Sequence, residues 1–168
     1  MKIEAYTDGS AKNNGQTNAV GGWAYVVVID DVVTHTYSDY KCDNFTNQQA
    51  ELLAAILACD HLSNKFSILN TFTIYSDSAY LINCANDKWY KNWLKNNWTN
   101  AKGKPIANKE YWEFLIPYFE NEQFTFKKVK GHSNVKYNNL ADKLAQEAAE
   151  KGRKKIESRN NKWPGRYW

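Results

Sequence analysis

The chain is poor in sulfur and has no long apolar run. Its three cysteines, Cys42, Cys59 and Cys84, are odd in number and lack CxxC spacing. That argues against a disulfide framework or a zinc site, and for reduced thiols in a cytosolic setting. No apolar stretch approaches a membrane span. The N-terminus, Met1-Lys2-Ile3-Glu4, is polar from the start, so no secretory segment is expected. No internal repeat is visible. The expectation is one soluble, monomeric, cytoplasmic protein, with 168 residues fitting a single domain.

What the chain has is aromatic: 7 Trp, 11 Tyr and 7 Phe within a 43% hydrophobic composition that suffices for a core. A formal charge of +4 makes a polyanion a plausible partner, although without clustering it decides nothing. Periodicity predicts strands at 3–7, 21–29 and 32–40, forming an antiparallel meander. Helical spacing follows from Asn47 to Leu62, with Thr46 or Asn47 as its cap. A fourth strand at 71–76 precedes a short helix at 78–85. A helix at 109–120, a fifth strand at 124–129 and a helix at 139–151 complete the pattern, the last with Leu140, Leu144 and Ala148 inward. This order implies an α/β fold, a mixed sheet with helices on its faces.

Four acids stand out by position. Asp8 and Asp77 each close a predicted strand before a turn-former, Gly9 and Ser78. Glu51 lies in the first turns of the long helix, and Asp142 in the first turn of the last one. Two explanations stand side by side. A first-turn carboxylate is stabilised by the helix dipole, and Asp-Gly is an ordinary turn signal. Alternatively, strands one and four lie parallel at the sheet centre, and all four acids converge at their carboxyl ends. Carboxylates that close need cations, and Mg²⁺ suits carboxylates shared with a phosphate. Two such ions can hold the attacking water and the leaving oxygen of a phosphodiester.

Five motifs appear in order: Thr7-Asp8-Gly9-Ser10, Thr46-Asn47-Gln48-Gln49-Ala50-Glu51-Leu52, Tyr75-Ser76-Asp77-Ser78, Val129-Lys130-Gly131-His132 and Ala141-Asp142. Together they resemble ribonuclease H type 1 over nearly the whole chain. The resemblance implies an RNase H-like fold with a five-stranded mixed sheet. It also implies cleavage of the RNA strand of RNA–DNA hybrids by two Mg²⁺ ions (Mn²⁺ as the alternative), leaving 5′-phosphate and 3′-hydroxyl ends. Carried across, the catalytic and metal-binding residues are Asp8, Glu51, Asp77 and Asp142, with His132 as an auxiliary proton carrier whose unperturbed pKa near ~6.5 suits that work.

The stretch from Lys88 to Trp98 mixes basic and aromatic residues, the usual equipment for tracking a backbone and stacking on bases. It resembles the family's basic protrusion, which makes Trp89, Lys91, Trp93, Lys95 and Trp98 candidate substrate contacts. A helix packing its Trp stripe on the core accounts for part of the same pattern. By resemblance, Asn14, Asn47 and Gln48 sense the 2′-hydroxyl, and Thr46 and Asn108 hold a DNA phosphate. An Arg that family members often add to that pocket is missing, with Asn44 and Gln49 at the corresponding positions. A Gln common after the Asp-Ser pair is Ala79 here.

The expected division is a catalytic domain over 1–151 and a basic, aromatic tail over 152–168. Three roles fit the tail: a solvated extension, packing against the body, or an extra hybrid contact. Two rival functions share the fold. One is a catalytically silent duplex- or hybrid-binding domain, which gains nothing from clustered acids. The other is a nuclease with a different nucleic-acid substrate, against which the Asn47-Gln48 pair and the basic protrusion speak.

Overall fold

The computed structural model describes residues 1–12, 18–129 and 135–162. Three long strands, β1 (Ile3–Lys12), β2 (Val20–Ile29) and β3 (Val32–Lys41), form the antiparallel meander. β4 (Phe72–Ser76) and β5 (Phe124–Lys128) add in parallel, giving the order β3-β2-β1-β4-β5. β1 and β4 therefore sit side by side at the centre. The helices are α1 (Asn47–Lys65), α2 (Ala79–Asp87), α3 (Tyr90–Lys95), α4 (Lys109–Phe119) and α5 (Val135–Lys162). Among the described residues, no helix is long and apolar enough to cross a membrane.

Alternation along β1 divides its side chains between two cores. Ile3 and Ala5 pack with Ala58, Cys59 and Leu62 of α1 on one face. Tyr6 packs with Tyr137 and Ala141 of α5 on the other. Tyr6 also stacks on Tyr75 at 4.7 Å, which ties β4 to the α5 face. Leu62 is fully buried, so truncating it to Ala removes about 2–5 kcal/mol of stability.

Several boundaries differ from those the sequence predicts. Gly9 and Ser10 make no turn. They continue β1, paired with Trp23 and Gly22 as far as Lys12 opposite Val20. The last helix starts at Val135 rather than Asn139 and runs to Lys162 rather than Lys151. Its sheet-facing stripe is Ala141, Ala145, Ala148 and Ala149, while Leu140 and Leu144 are half-buried at the flanks. Glycine is required at position 22 of β2, because a Cβ there would lie only 2.3 Å from the Ala145 carbonyl oxygen. Helix and strand touch backbone to backbone.

Candidate active site

Asp8 lies inside β1, paired with Ala24 of β2, and is 3% exposed. On its other side the parallel register Tyr6↔Tyr75, continued by two residues, brings Asp77 alongside. Ser76 is buried and its hydroxyl accepts from the Ser78 N–H at 3.1 Å. Ser78 in turn caps α2 by accepting from Leu81 N–H at 3.2 Å. The chain thus peels away from the sheet at Asp77 and leaves its side chain exposed.

Glu51 arrives through a close contact. Gly9 faces α1, and a Cβ there would lie 2.3 Å from the Glu51 nitrogen and 2.5 Å from the Ala50 carbonyl carbon. Only a glycine lets α1 press onto β1 at that point, and this closeness carries Glu51, 9% exposed, to Asp8. Ligand oxygens of Asp8, Glu51 and Asp77 lie within 4.8 Å of one another. Asp142 reaches Asp8 from the α5 face, close enough to hydrogen-bond with it. Its Oδ2 accepts from Gln146 Nε2 at 2.9 Å.

The dipole explanation of the helix acids does not survive. Glu51 is the fifth residue of α1 and Asp142 the eighth of α5, whereas the dipole effect fades within the first turn. Burial raises the pKa of Glu51, and repulsion and hydrogen bonding from Asp8 add to the rise. Burial also raises Asp8; its bond with Glu51 works the other way, while Asp142 and Asp77 push it up further. The Gly9 N–H donates to Asp8 Oδ1 at 2.9 Å and holds down Glu51 as well. None of the four acids is ion-paired to a Lys or Arg among the described residues. Glu51 Oε2 is buried without a protein hydrogen-bond partner. Hard oxygen donors, an orphaned buried oxygen and mutual repulsion together fit a divalent cation.

The other predicted residues fall into three groups. Thr46 caps α1 in a reciprocal box with Gln49, each side chain 3.1 Å from the other's backbone nitrogen. Gln48 accepts from Asn108 Nδ2 at 3.0 Å, which joins two candidate contacts and ties α1 to the start of α4. Asn47 is exposed beside them. In the protrusion, Lys91 and Lys95 are exposed, whereas the tryptophans divide. Trp93 is 8% exposed and packs on Trp112 and Trp98. It is a core anchor and offers no face to a base. Trp89 and Trp98 are half-buried, and Lys109 Nζ sits 5.5 Å over the Trp98 ring. Asn14 and His132 lie outside the described residues.

Two contributors are absent from the sequence-based site. Gln146 is the first; its signal was the i,i+4 spacing to Asp142. The second is the structural role of Gln49, foreshadowed by the Thr46-x-x-Gln49 capping pattern.

Fold and site together define an α/β domain that gathers carboxylates at the carboxyl ends of two central parallel strands, the layout of a cation-dependent hydrolase. The RNase H family model matches residues 1–150. A Ribonuclease H from Clostridium botulinum (strain Hall) is 42% identical over 147 residues, covering 88% of this chain and 95% of that one. The Ribonuclease H of Caldanaerobacter subterraneus subsp. tengcongensis is 38% identical over 149 residues, 89% and 92% of the two chains. Among solved structures, a chain from the foamy viral protease–reverse transcriptase in complex with dsDNA superposes with a TM-score of 0.74 at 26% identity. That match covers 88% of this chain and 93% of the other. LC9-RNase H1 superposes at 0.72 with 22% identity, covering 89% and 72%, and shares the fold. The chain belongs to the RNase H family and is a nuclease of the hydrolase class.

Proposed function

We propose that the chain is an endoribonuclease hydrolysing the RNA strand of RNA–DNA hybrids, with Asp8, Glu51, Asp77 and Asp142 as its catalytic and metal-holding residues. The observation that carries this is the meeting of three carboxylates within 4.8 Å at the central strands, in a chain of the RNase H family. The name Ribonuclease H borne by the relatives supports the substrate. Asp8, Glu51, Asp77 and Asp142 would hold two divalent cations, Mg²⁺ or Mn²⁺, which would supply the positive charge that phosphodiester hydrolysis needs.

The chain's own share is positioning. Asp8 is fixed by its strand pairing with Ala24 and by the Gly9 N–H, so its direction is set before substrate arrives. Glu51 is held by helix packing, while Asp77 and Asp142 line the open side. His132 we assign to proton transfer. Thr46 and Asn108 would take a DNA-strand phosphate, and Asn47 and Gln48 the 2′-hydroxyls that distinguish RNA. The bond between Gln48 and Asn108 keeps those two pockets in one frame. Trp89, Trp98, Lys91 and Lys95 would grip the DNA strand.

Cleavage of a labelled RNA–DNA hybrid in Mg²⁺, beside RNA duplex, DNA duplex and single-strand controls, tests this directly. Selective loss of the hybrid's RNA strand is expected. Cleavage of a control in its place, or of nothing, would overturn it.

A further inference from the structure

The +4 of this chain is unevenly placed. Residues 151–168 hold seven Lys and Arg against one Glu, so residues 1–150, the family-matching body, carry a formal −2 of that total. All three arginines, Arg153, Arg159 and Arg166, lie beyond residue 150. For a protein reading a polyanion, most of the long-range attraction therefore sits outside the region shared with relatives.

The structure shows where that charge goes. α5 does not stop with the family match but continues to Lys162. Gly152, buried, lies against Val20 and Tyr40. Val20 pairs with Lys12 at the end of β1, the end towards which that strand carries Asp8. The helix therefore leaves the body at the carboxylate-bearing end of the sheet. The acids on either side of that point are already satisfied. Arg153 binds Glu150 at 2.6 Å and Glu157 at 2.8 Å, and Glu147 pairs with Lys143. Lys151, Lys154, Lys155 and Arg159 are exposed and have no ion-pair partner among the described residues. At about 1.5 Å per residue they stand roughly 14–25 Å along the helix from Asp142. Ile156 is the only large apolar side chain between 152 and 162, so the extension has no face to insert into a bilayer.

We infer that the α5 extension is a second nucleic-acid site, gripping duplex phosphates beyond the cleavage position through Lys151, Lys154, Lys155 and Arg159. It rests on the hybrid-cleaving reading of the carboxylate site and adds to it a contact blind to sugar and sequence. Because one rigid helix carries both Asp142 and these cations, the grip holds the duplex at a fixed offset from the chemistry.

The test is the variant K151Q/K154Q/K155Q/R159Q of the full chain, which keeps Arg153 and uses a good helix former. Binding is followed by fluorescence anisotropy in EDTA, with a hybrid and a DNA duplex of about 20 base pairs, from about 50 to 200 mM salt. The slope of log affinity against log salt should fall by about 3–4 on both duplexes, at roughly 0.9 per lost phosphate contact. KM for hybrid cleavage should rise while kcat holds, and K151R/K154R/K155R should keep the parent slope. An unchanged slope, with helix content intact by circular dichroism, would overturn the second site. Failure of the parent to cleave hybrid would instead remove the proposed function and leave the binding result readable by itself.

Discussion

The four carboxylates divide into two unlike pairs. Asp8 and Glu51 are 3% and 9% exposed and are fixed by strand pairing and by helix-on-strand contact. Asp77 is exposed and Asp142 half-buried, each placed by short polar devices: the Ser76–Ser78 turn and the Gln146 side chain. One pair is built into the core, where packing density leaves little freedom. The other stands at the rim, where it can adjust as substrate and cations arrive. The buried pair should therefore control both folding and chemistry, and the rim pair chemistry with little effect on folding.

Asp8→Asn tests the first half most sharply. It should lower hybrid cleavage about 10²–10³-fold or more, the scale of losing several kcal/mol of charge stabilisation. Thermal stability should hold or rise, because an isosteric neutral group replaces a buried carboxyl. Single-turnover cleavage and a melting curve check both. Asp77→Asn should match the loss of cleavage and leave the melting curve alone.

Gly9→Ala comes next. The new Cβ would meet backbone atoms of Ala50 and Glu51 at 2.5 and 2.3 Å, which cannot rotate away. Forcing α1 off β1 should cost about 1–3 kcal/mol in urea unfolding and weaken cleavage by displacing Glu51. Full stability with full activity would mean that α1 is not seated by this contact.

The buried pair should also make stability depend on pH. Both acids are raised in the folded state, chiefly by burial, Asp8 to about 7. The folded protein thus keeps protons that the unfolded chain has already released. This contribution is full below the unfolded carboxyl pKa near ~4 and is lost as pH rises through neutrality. In EDTA the stability should fall by up to about 1.4 kcal/mol per pH unit for each such proton. Millimolar Mg²⁺ should flatten the fall, and Glu51→Gln should reduce it. Melting curves between pH 5 and about 9, with and without Mg²⁺, measure it.

Much of this was legible in the sequence, and the failures have identifiable causes. The alternation of β1 to β3 and the α1 stripe placed the sheet, and the acidic motifs pointed to the three carboxylates that meet within 4.8 Å. Gly9-Ser10 looked like a turn because Asp-Gly is a local signal, whereas the pairing with Trp23 and Gly22 that keeps it extended is non-local. Trp93 sits in a basic and aromatic stretch of the composition that suits stacking, but its contact with Trp112 depends on α4 folding back. The end of α5 escaped notice because past Gly152 it has no apolar period. It is held instead by Arg153 between Glu150 and Glu157, contacts of i,i+3 and i,i+4 that periodicity does not register.

The smallest effect belongs to the rim. Gln146 Nε2 donates to Asp142 Oδ2 at 2.9 Å, one turn along an exposed helix face. Gln146→Ala removes a single such bond and should change folding stability by no more than about 0.5 kcal/mol. Its consequence should show instead in cation affinity, since Asp142 loses the partner that fixes its rotamer. Calorimetric titration should find Mg²⁺ binding weakened a few-fold, with Gln146→Asn, too short to reach, behaving like Ala. A variant that binds Mg²⁺ like the parent would mean Asp142 is oriented by Asp8 alone. The contrast between a packed pair and an adjustable pair would then narrow to Asp77.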